Sequence, residues 1–192
     1  MKQTQPIDLL HKRFSPRAFK TEMIQPEALH SLFVAAGISP SAYNDQPWAF
    51  FLATKENAAE YEKIASVLVD ANRAWASQAP VLVFVAARTT FTHNGSANPY
   101  AAYDTGGAVA HLTTQASAQN IFVHQMAGFD HTKAAQVFEL PENYQPLTIL
   151  ALGYLTDEMN TPAAKDELIA KRSRAEISAI VFSGKLSSSY TF

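Results

Sequence analysis

The sequence predicts an α+β or α/β layered domain, and three observations carry that reading. Candidate strands at residues 48–54, 81–85 and 147–154 are separated by segments of helical periodicity. One of them, Val81-Leu82-Val83-Phe84-Val85, is a continuous β-branched and aromatic run, as expected of a strand buried on both faces. The longest helical segment, residues 100–120, is rich in small residues that let neighbouring backbones approach closely. Helices interleaved with strands pack as layers around one core. A chain of 192 residues, 47% hydrophobic, suits a single domain spanning 1–192, with residues 157–192 as an extension.

The elements follow in order. Residues 6–11 read as a short opening helix carrying Ile7, Leu9 and Leu10. Pro26, followed by Glu27, opens a helix with Leu29, Leu32, Phe33 and Ala36 at helical spacing, and Gly37 is its expected left-handed stop. Residues 38–47 hold two prolines among short polar side chains and form a rigid loop. After the strand at 48–54, residues 56–68 place Tyr61, Ile64, Val67 and Leu68 on one stripe, and the polar stretch 70–78 ends that helix. A loop at 89–99 leads into the helix at 100–120, which carries Gly106, Gly107, Ala108, Ala110, Ala116 and Ala118 and stops at Asn120, a residue that tolerates the left-handed conformation. Residues 123–129 read as a short connection, and Asp130 caps a helix through 138. The tail, from Leu155 on, is polar to Ala175 and then has one apolar stretch at 177–182. It is too long for a structureless loop, so it is expected to wrap a surface or a partner.

Composition excludes several function classes. A net charge of −2 and a pI near 6.3 argue against a nucleic-acid binder that relies on a basic surface. With no cysteine, disulfides, thiolate catalysis and iron–sulfur ligation are excluded. The six histidines show no metal-ligand spacing. The N-terminus lacks an apolar signal core, and the apolar run at 81–87 is too short to span a bilayer, so the expectation is a cytoplasmic protein that does not enter the membrane.

The chemistry concentrates in two basic stretches. In His11-Lys12-Arg13-Phe14-Ser15-Pro16-Arg17, Pro16 favours extended backbone at Ser15, and the period of two puts Arg13, Ser15 and Arg17 on one side. Two guanidinium forks and a hydroxyl then make a preformed anion cradle, the alternative being a solvated surface loop. A second cluster, Lys171-Arg172-Ser173-Arg174, lies at the other end of the chain. The two could surround one phosphate dianion, but nothing in the sequence brings them together.

These residues resemble a known family, the FMN-dependent nitroreductases. Arg13-Phe14-Ser15-Pro16-Arg17-Ala18-Phe19 is similar to its opening R-x-S-x-(R/K)-x-F motif. Ser39-Pro40-Ser41-Ala42-Tyr43-Asn44-Asp45-Gln46-Pro47-Trp48 resembles its S-P-S-x-x-N-x-Q-P-W loop, the most specific of the matches. Asp104-Thr105-Gly106, Gly128-Phe129-Asp130, Leu152-Gly153-Tyr154 and Arg172-Ser173-Arg174 resemble later motifs in family order. The resemblance implies a layered α-β-α domain with a central mixed or antiparallel sheet, a long buried helix, and an intertwined homodimer with FMN at its interface. It implies that Arg13, Phe14, Ser15, Arg172 and Arg174 hold the flavin and its phosphate, and that Arg17 lies near flavin N1 and the C2 carbonyl. It further implies that Pro40, Ser41 and Asn44 come from the other subunit, that Asn72 reads the pyrimidine edge, and that the backbone N–H groups of Ala127 and Gly128 approach N5.

The chain departs from the family pattern at Ala127, where several members carry Glu, and at Gln119-Asn120, where Leu-Gly is usual. The segment at 87–100 is short, so a more open pocket, or one lined by Phe91, Tyr100 and Tyr103, is expected. The activity implied is ping-pong reduction of a nitroaromatic, quinone or similar small-molecule acceptor, with NADH or NADPH as reductant and no catalytic side chain or metal. Other flavin chemistry on the same fold (dehalogenation, substrate oxidation, flavin fragmentation) and an FMN-binding protein without turnover are the alternatives.

Overall fold

A computed structural model describes residues 7–191. Its centre is one sheet of four strands, β1 (Trp48–Thr54), β2 (Val81–Arg88), β3 (Phe122–Met126) and β4 (Tyr144–Gly153), in the order β1-β2-β4-β3. Every neighbouring pair is antiparallel, so the sheet is not mixed. β2 is buried along its length to Ala87, and its side chains alternate between two cores. Leu82, Phe84 and Ala86 pack with Tyr61, Ile64 and Ala65 of α3 (Ala58–Ser66), Ala76 of α4 (Asp70–Ala76) and Ala134 of α6 (His131–Val137). Val81, Val83 and Val85 pack with Leu29, Leu32 and Ala36 of α2 (Pro26–Gly37) and Ala108, Val109 and Leu112 of α5 (Ala101–Ala118). Helices therefore cover both faces, giving the α-β-α layering.

Most local signals behave as their chemistry requires. Asn57 and Asp130 cap α3 and α6 by accepting from the Glu60 and Lys133 amides. Asn120 takes φ 55° after α5. The opening helix, α1 (Asp8–Lys12), begins within the described residues, whereas Pro6 lies outside them.

Four expectations need correction, and the tail gains a helix. Gly37 is the last residue of α2, and the chain leaves through Ile38 at φ −85°, so no left-handed glycine is used. Residues 70–78 do not simply end a helix: they form α4, because Trp75 and Ala76 turn into the core. Residues 122–126 are not a connection but the edge strand β3, in which Val123 and Met126 are buried around polar His124 and Gln125. β4 starts three residues earlier than 147, because Pro146 sits opposite a register shift at Val85/Ala86, a place where a strand tolerates proline. The polar tail contains α7 (Pro162–Ala170), capped by the Thr161 hydroxyl, which accepts from the Ala164 amide. No helix among the described residues is long and apolar enough to cross a membrane.

Gly153 at the end of β4 leaves no room for a side chain. A Cβ there would sit 2.8 Å from Pro80 Cδ and 3.0 Å from Phe19 Cδ1. Gly153→Ala is expected to destabilise the fold by about 1–3 kcal/mol through overpacking. The measurement is urea unfolding, with a lower midpoint at an unchanged slope. An unchanged midpoint would show that Pro80 and Phe19 both move aside freely.

Candidate functional site

The two basic clusters meet. Arg172 donates from Nη1 to the Arg13 carbonyl at 2.6 Å and from Nη2 to the His11 carbonyl at 2.5 Å. The tail is thus stapled to the first loop. Arg13 donates to the Ser15 hydroxyl at 3.2 Å. Partial burial lowers the Arg13 pKa, and the charges of Arg172 and Arg174 lower it further. Among the described residues, Arg174 bonds only its neighbouring Ser173 carbonyl. Among the described residues, no carboxylate forms an ion pair with Arg13, Arg17, Arg172 or Arg174. Gathered cations without counter-charge are the chemistry that binding an anion calls for.

Phe14 does not share in it through its ring. That side chain is 4% exposed and packs on Phe122 of β3 at 4.9 Å between centroids. It anchors the segment and leaves only backbone for a ligand. Two residues on, the Pro16 carbonyl accepts from His124 Nδ1 of β3 at 2.8 Å. Burial pushes the His124 imidazole below its ordinary pKa and the Arg17 charge adds to this, outweighing the backbone hydrogen bonds that favour protonation.

Asn72 and Gly128 lie together beside this segment. Asn72 Nδ2 on α4 donates to the Gly128 carbonyl at 3.0 Å. A Cβ on Gly128 would fall 2.6 Å from that nitrogen, so only glycine permits the contact. One turn along α4, the Trp75 ring faces the Arg17 guanidinium at 5.9 Å. Arg13, Ser15, Arg17, Asn72, Gly128, Arg172 and Arg174 therefore lie in one connected region. Ala127, exposed, precedes Gly128 in the turn after β3.

Pro40, Ser41 and Asn44 are elsewhere. Within one chain they make no hydrogen bond or ion pair to the arginine cluster. Their loop is clamped to α5 and β2. The Asp104 carboxylate, buried in the first turn of α5, accepts from the Ala42 amide at 2.9 Å. Ser41 Oγ accepts from the Gln46 amide at 3.0 Å. Asp45, whose side chain is 1% exposed, accepts from Arg88 Nη2 at 2.9 Å, the Thr92 amide at 2.7 Å and the Thr92 hydroxyl at 2.5 Å. Burial alone would push the Asp45 carboxyl up, but these donors hold it at about 2. The loop needs such clamping, because Tyr43, Asn44 and Gln46 all take positive φ, at 54°, 52° and 49°. Among the described residues, no cluster of three or more metal-ligating side chains occurs.

Comparison with known proteins gives the family. The model of the nitroreductase family matches residues 10–154. The chain belongs to the nitroreductase family. The solved structure of an oxidoreductase containing FMN is 28% identical, covers 98% of this chain and 96% of its own, and superposes with a TM-score of 0.84. A Streptococcus pyogenes serotype M6 protein, "Putative NAD(P)H nitroreductase", is 21% identical over 202 residues, covering 86% of this chain and 98% of its own length. An uncharacterised 15.4 kDa protein of Mycolicibacterium smegmatis is 37% identical over 91 residues, 45% of this chain. The match spans 58% of that relative's length.

Around the candidate site the structure adds side chains that the motifs alone do not name. Trp75, His124 and the Asp45–Arg88 pair are the main ones. Their signal was weak because each acts through a partner distant in sequence. Asp45 and Arg88 are separated by 43 residues, and His124 reaches back 108 residues to Pro16.

Proposed function

We propose that this chain is an FMN-dependent NAD(P)H oxidoreductase that reduces nitroaromatics, quinones or related electrophiles by a ping-pong cycle. The observation that carries the reading is the gathering of Arg13, Arg172 and Arg174, from both ends of the chain, without a carboxylate partner among the described residues. A flavin phosphate is the dianion such a cluster fits. The FMN-containing relative and the NAD(P)H in the streptococcal protein's name support the cofactor and the reductant.

Bound FMN supplies reversible two-electron transfer. The chain's residues do the rest. Arg13, Ser15, Arg172 and Arg174 neutralise and hold the phosphate. Arg17 lies further along the same segment and is assigned to the flavin N1 edge, where its charge favours the reduced state over the oxidised one. Asn72 is assigned to the pyrimidine edge, and the Ala127 and Gly128 backbone to N5. Pro40, Ser41 and Asn44 complete the site from a second copy. The exposed apolar side chains Val34 and Ile38 at α2 and Tyr103 on α5 suit such a homodimer.

The test is an absorbance spectrum of the purified protein followed by anaerobic titration with NADH and NADPH. A visible flavin band that bleaches with either reductant is expected. A colourless protein that takes up no FMN sinks the proposal, and a band that neither reductant bleaches leaves an FMN-binding protein without turnover.

A further inference from the structure

Arg17 is exposed, and its side chain makes neither a hydrogen bond nor an ion pair among the described residues. The face of Trp75 lies 5.9 Å from its guanidinium carbon, and its charge also reaches the His124 ring. A long side chain with that freedom has no fixed direction unless its surroundings restrict it. Two features restrict it. Trp75 stands on α4, one turn after Asn72, with its ring tilted against His124 at 4.5 Å and 44°. His124 in turn donates to the carbonyl of Pro16, the residue that leads into Arg17.

The Trp75 indole N–H is buried and has no hydrogen-bond partner among the described residues. A buried donor left unpaired is unfavourable, so the N–H does not account for tryptophan at this position. One part of the ring packs against the core, and its face offers Arg17 the strongest cation–π surface of any side chain. The behaviour of His124 agrees. Burial, with Arg17 adding to it, disfavours the imidazolium, so the ring packs against Trp75 as a neutral body and does not compete with the guanidinium.

We infer that Trp75, backed by His124, is a positioning residue that aims the Arg17 guanidinium at the flavin. The inference rests on the role proposed for Arg17 above. In this role Trp75 acts through Arg17 and not on the reacting atoms. It restricts an arginine whose charge matters more in one oxidation state of the cofactor than in the other.

The experiment measures the flavin midpoint potential at saturating FMN for Arg17→Ala, Trp75→Leu, Trp75→Phe and the Arg17→Ala/Trp75→Leu pair, with unfolding midpoints alongside. Arg17→Ala is expected to weaken reduced relative to oxidised flavin about tenfold, a drop of ~30 mV for this two-electron couple. Trp75→Leu is expected to give about a threefold change, ~14 mV in the same direction. Trp75→Phe keeps a ring face and removes the unpaired donor, so it should retain most of the potential and unfold no earlier than the parent. In the Arg17→Ala background, Trp75→Leu should have no further effect. If Arg17→Ala lowers the potential but Trp75→Leu does not, or if Trp75→Leu lowers it equally without Arg17, the positioning role is overturned while the reading of Arg17 stands. If FMN binds and Arg17→Ala leaves the potential unmoved, the reading of Arg17 fails and this inference fails with it.

Discussion

Replacing Arg172 and Arg174 together by alanine is expected to weaken FMN binding by at least about a hundredfold and to leave the core folded. Hydrogen bonds to charged groups contribute roughly 1.5–3 kcal/mol each. About 1.4 kcal/mol is a factor of ten in affinity, so two lost contacts exceed a factor of a hundred. Neither residue supports the cores, since both lie on the tail after α7, outside the two apolar clusters. The sign of the stability change adds a second check. Arg13 is disfavoured as a cation by the charges of Arg172 and Arg174. In the FMN-free protein, Arg174→Ala relieves that repulsion, so its unfolding temperature should not fall and should rise slightly at low salt. With FMN bound, the same variant should unfold earlier than the parent. Arg172→Ala differs because it also unstaples the tail from the His11 and Arg13 carbonyls. Titration of apoprotein with FMN, read by loss of flavin fluorescence, gives the affinities. An affinity that survives the double substitution within a few-fold would remove these arginines from the phosphate site.

Arg88→Met is expected to destabilise the fold by about 3 kcal/mol at neutral pH, and by clearly less near pH 3. Removing one partner of a buried ion pair leaves the other charge uncompensated, at a cost of roughly 3–5 kcal/mol. Asp45 is the partner left behind, and it remains enclosed by the loop and Thr92. The pH dependence has a definite sign. The folded-state pKa of Asp45, about 2, lies below that of an unfolded aspartate, near 3.9. Its contribution to stability is therefore fully present above pH ~4 and fades as pH falls towards 2. Without Arg88 the effect of burial on Asp45 is no longer offset by the guanidinium, so protonation relieves the variant while it weakens the parent. The gap between them narrows in acid. Urea unfolding of both proteins at pH 7 and pH 3 measures it, and a gap that stays constant would show that Asp45 and Arg88 are not coupled. The same clamp holds the left-handed residues Tyr43, Asn44 and Gln46, so the variant should also loosen the loop that carries Pro40 and Ser41.

How much of this was legible beforehand depends on the range of the forces involved. Strand β1 and helix α2 were read from the chain, because their apolar spacing and proline signals are properties of a few consecutive residues. The Asp130 cap and the Asn120 stop are equally local. α4 and β3 were not legible. Each is short and interrupted by polar side chains, and each exists because Trp75, Ala76, Val123 and Met126 found a core built by other segments. α7 offered a threonine followed by proline, a usable start signal that a polar tail obscured.

The site divides the same way. By itself the sequence determined which residue types were available for an anion: Arg13, Ser15 and Arg17 in one extended motif, Arg172 and Arg174 in another, glycine at 128, and no cysteine. Side-chain chemistry and short-range geometry are enough for that. Only the tertiary structure decided that the two arginine clusters meet, that Phe14 turns inward, that Asn72 reaches the Gly128 carbonyl and that Arg17 faces Trp75. Those are contacts between segments far apart in the chain. They are set by which apolar faces bury against the two sides of one sheet, and no window of neighbouring residues contains that information.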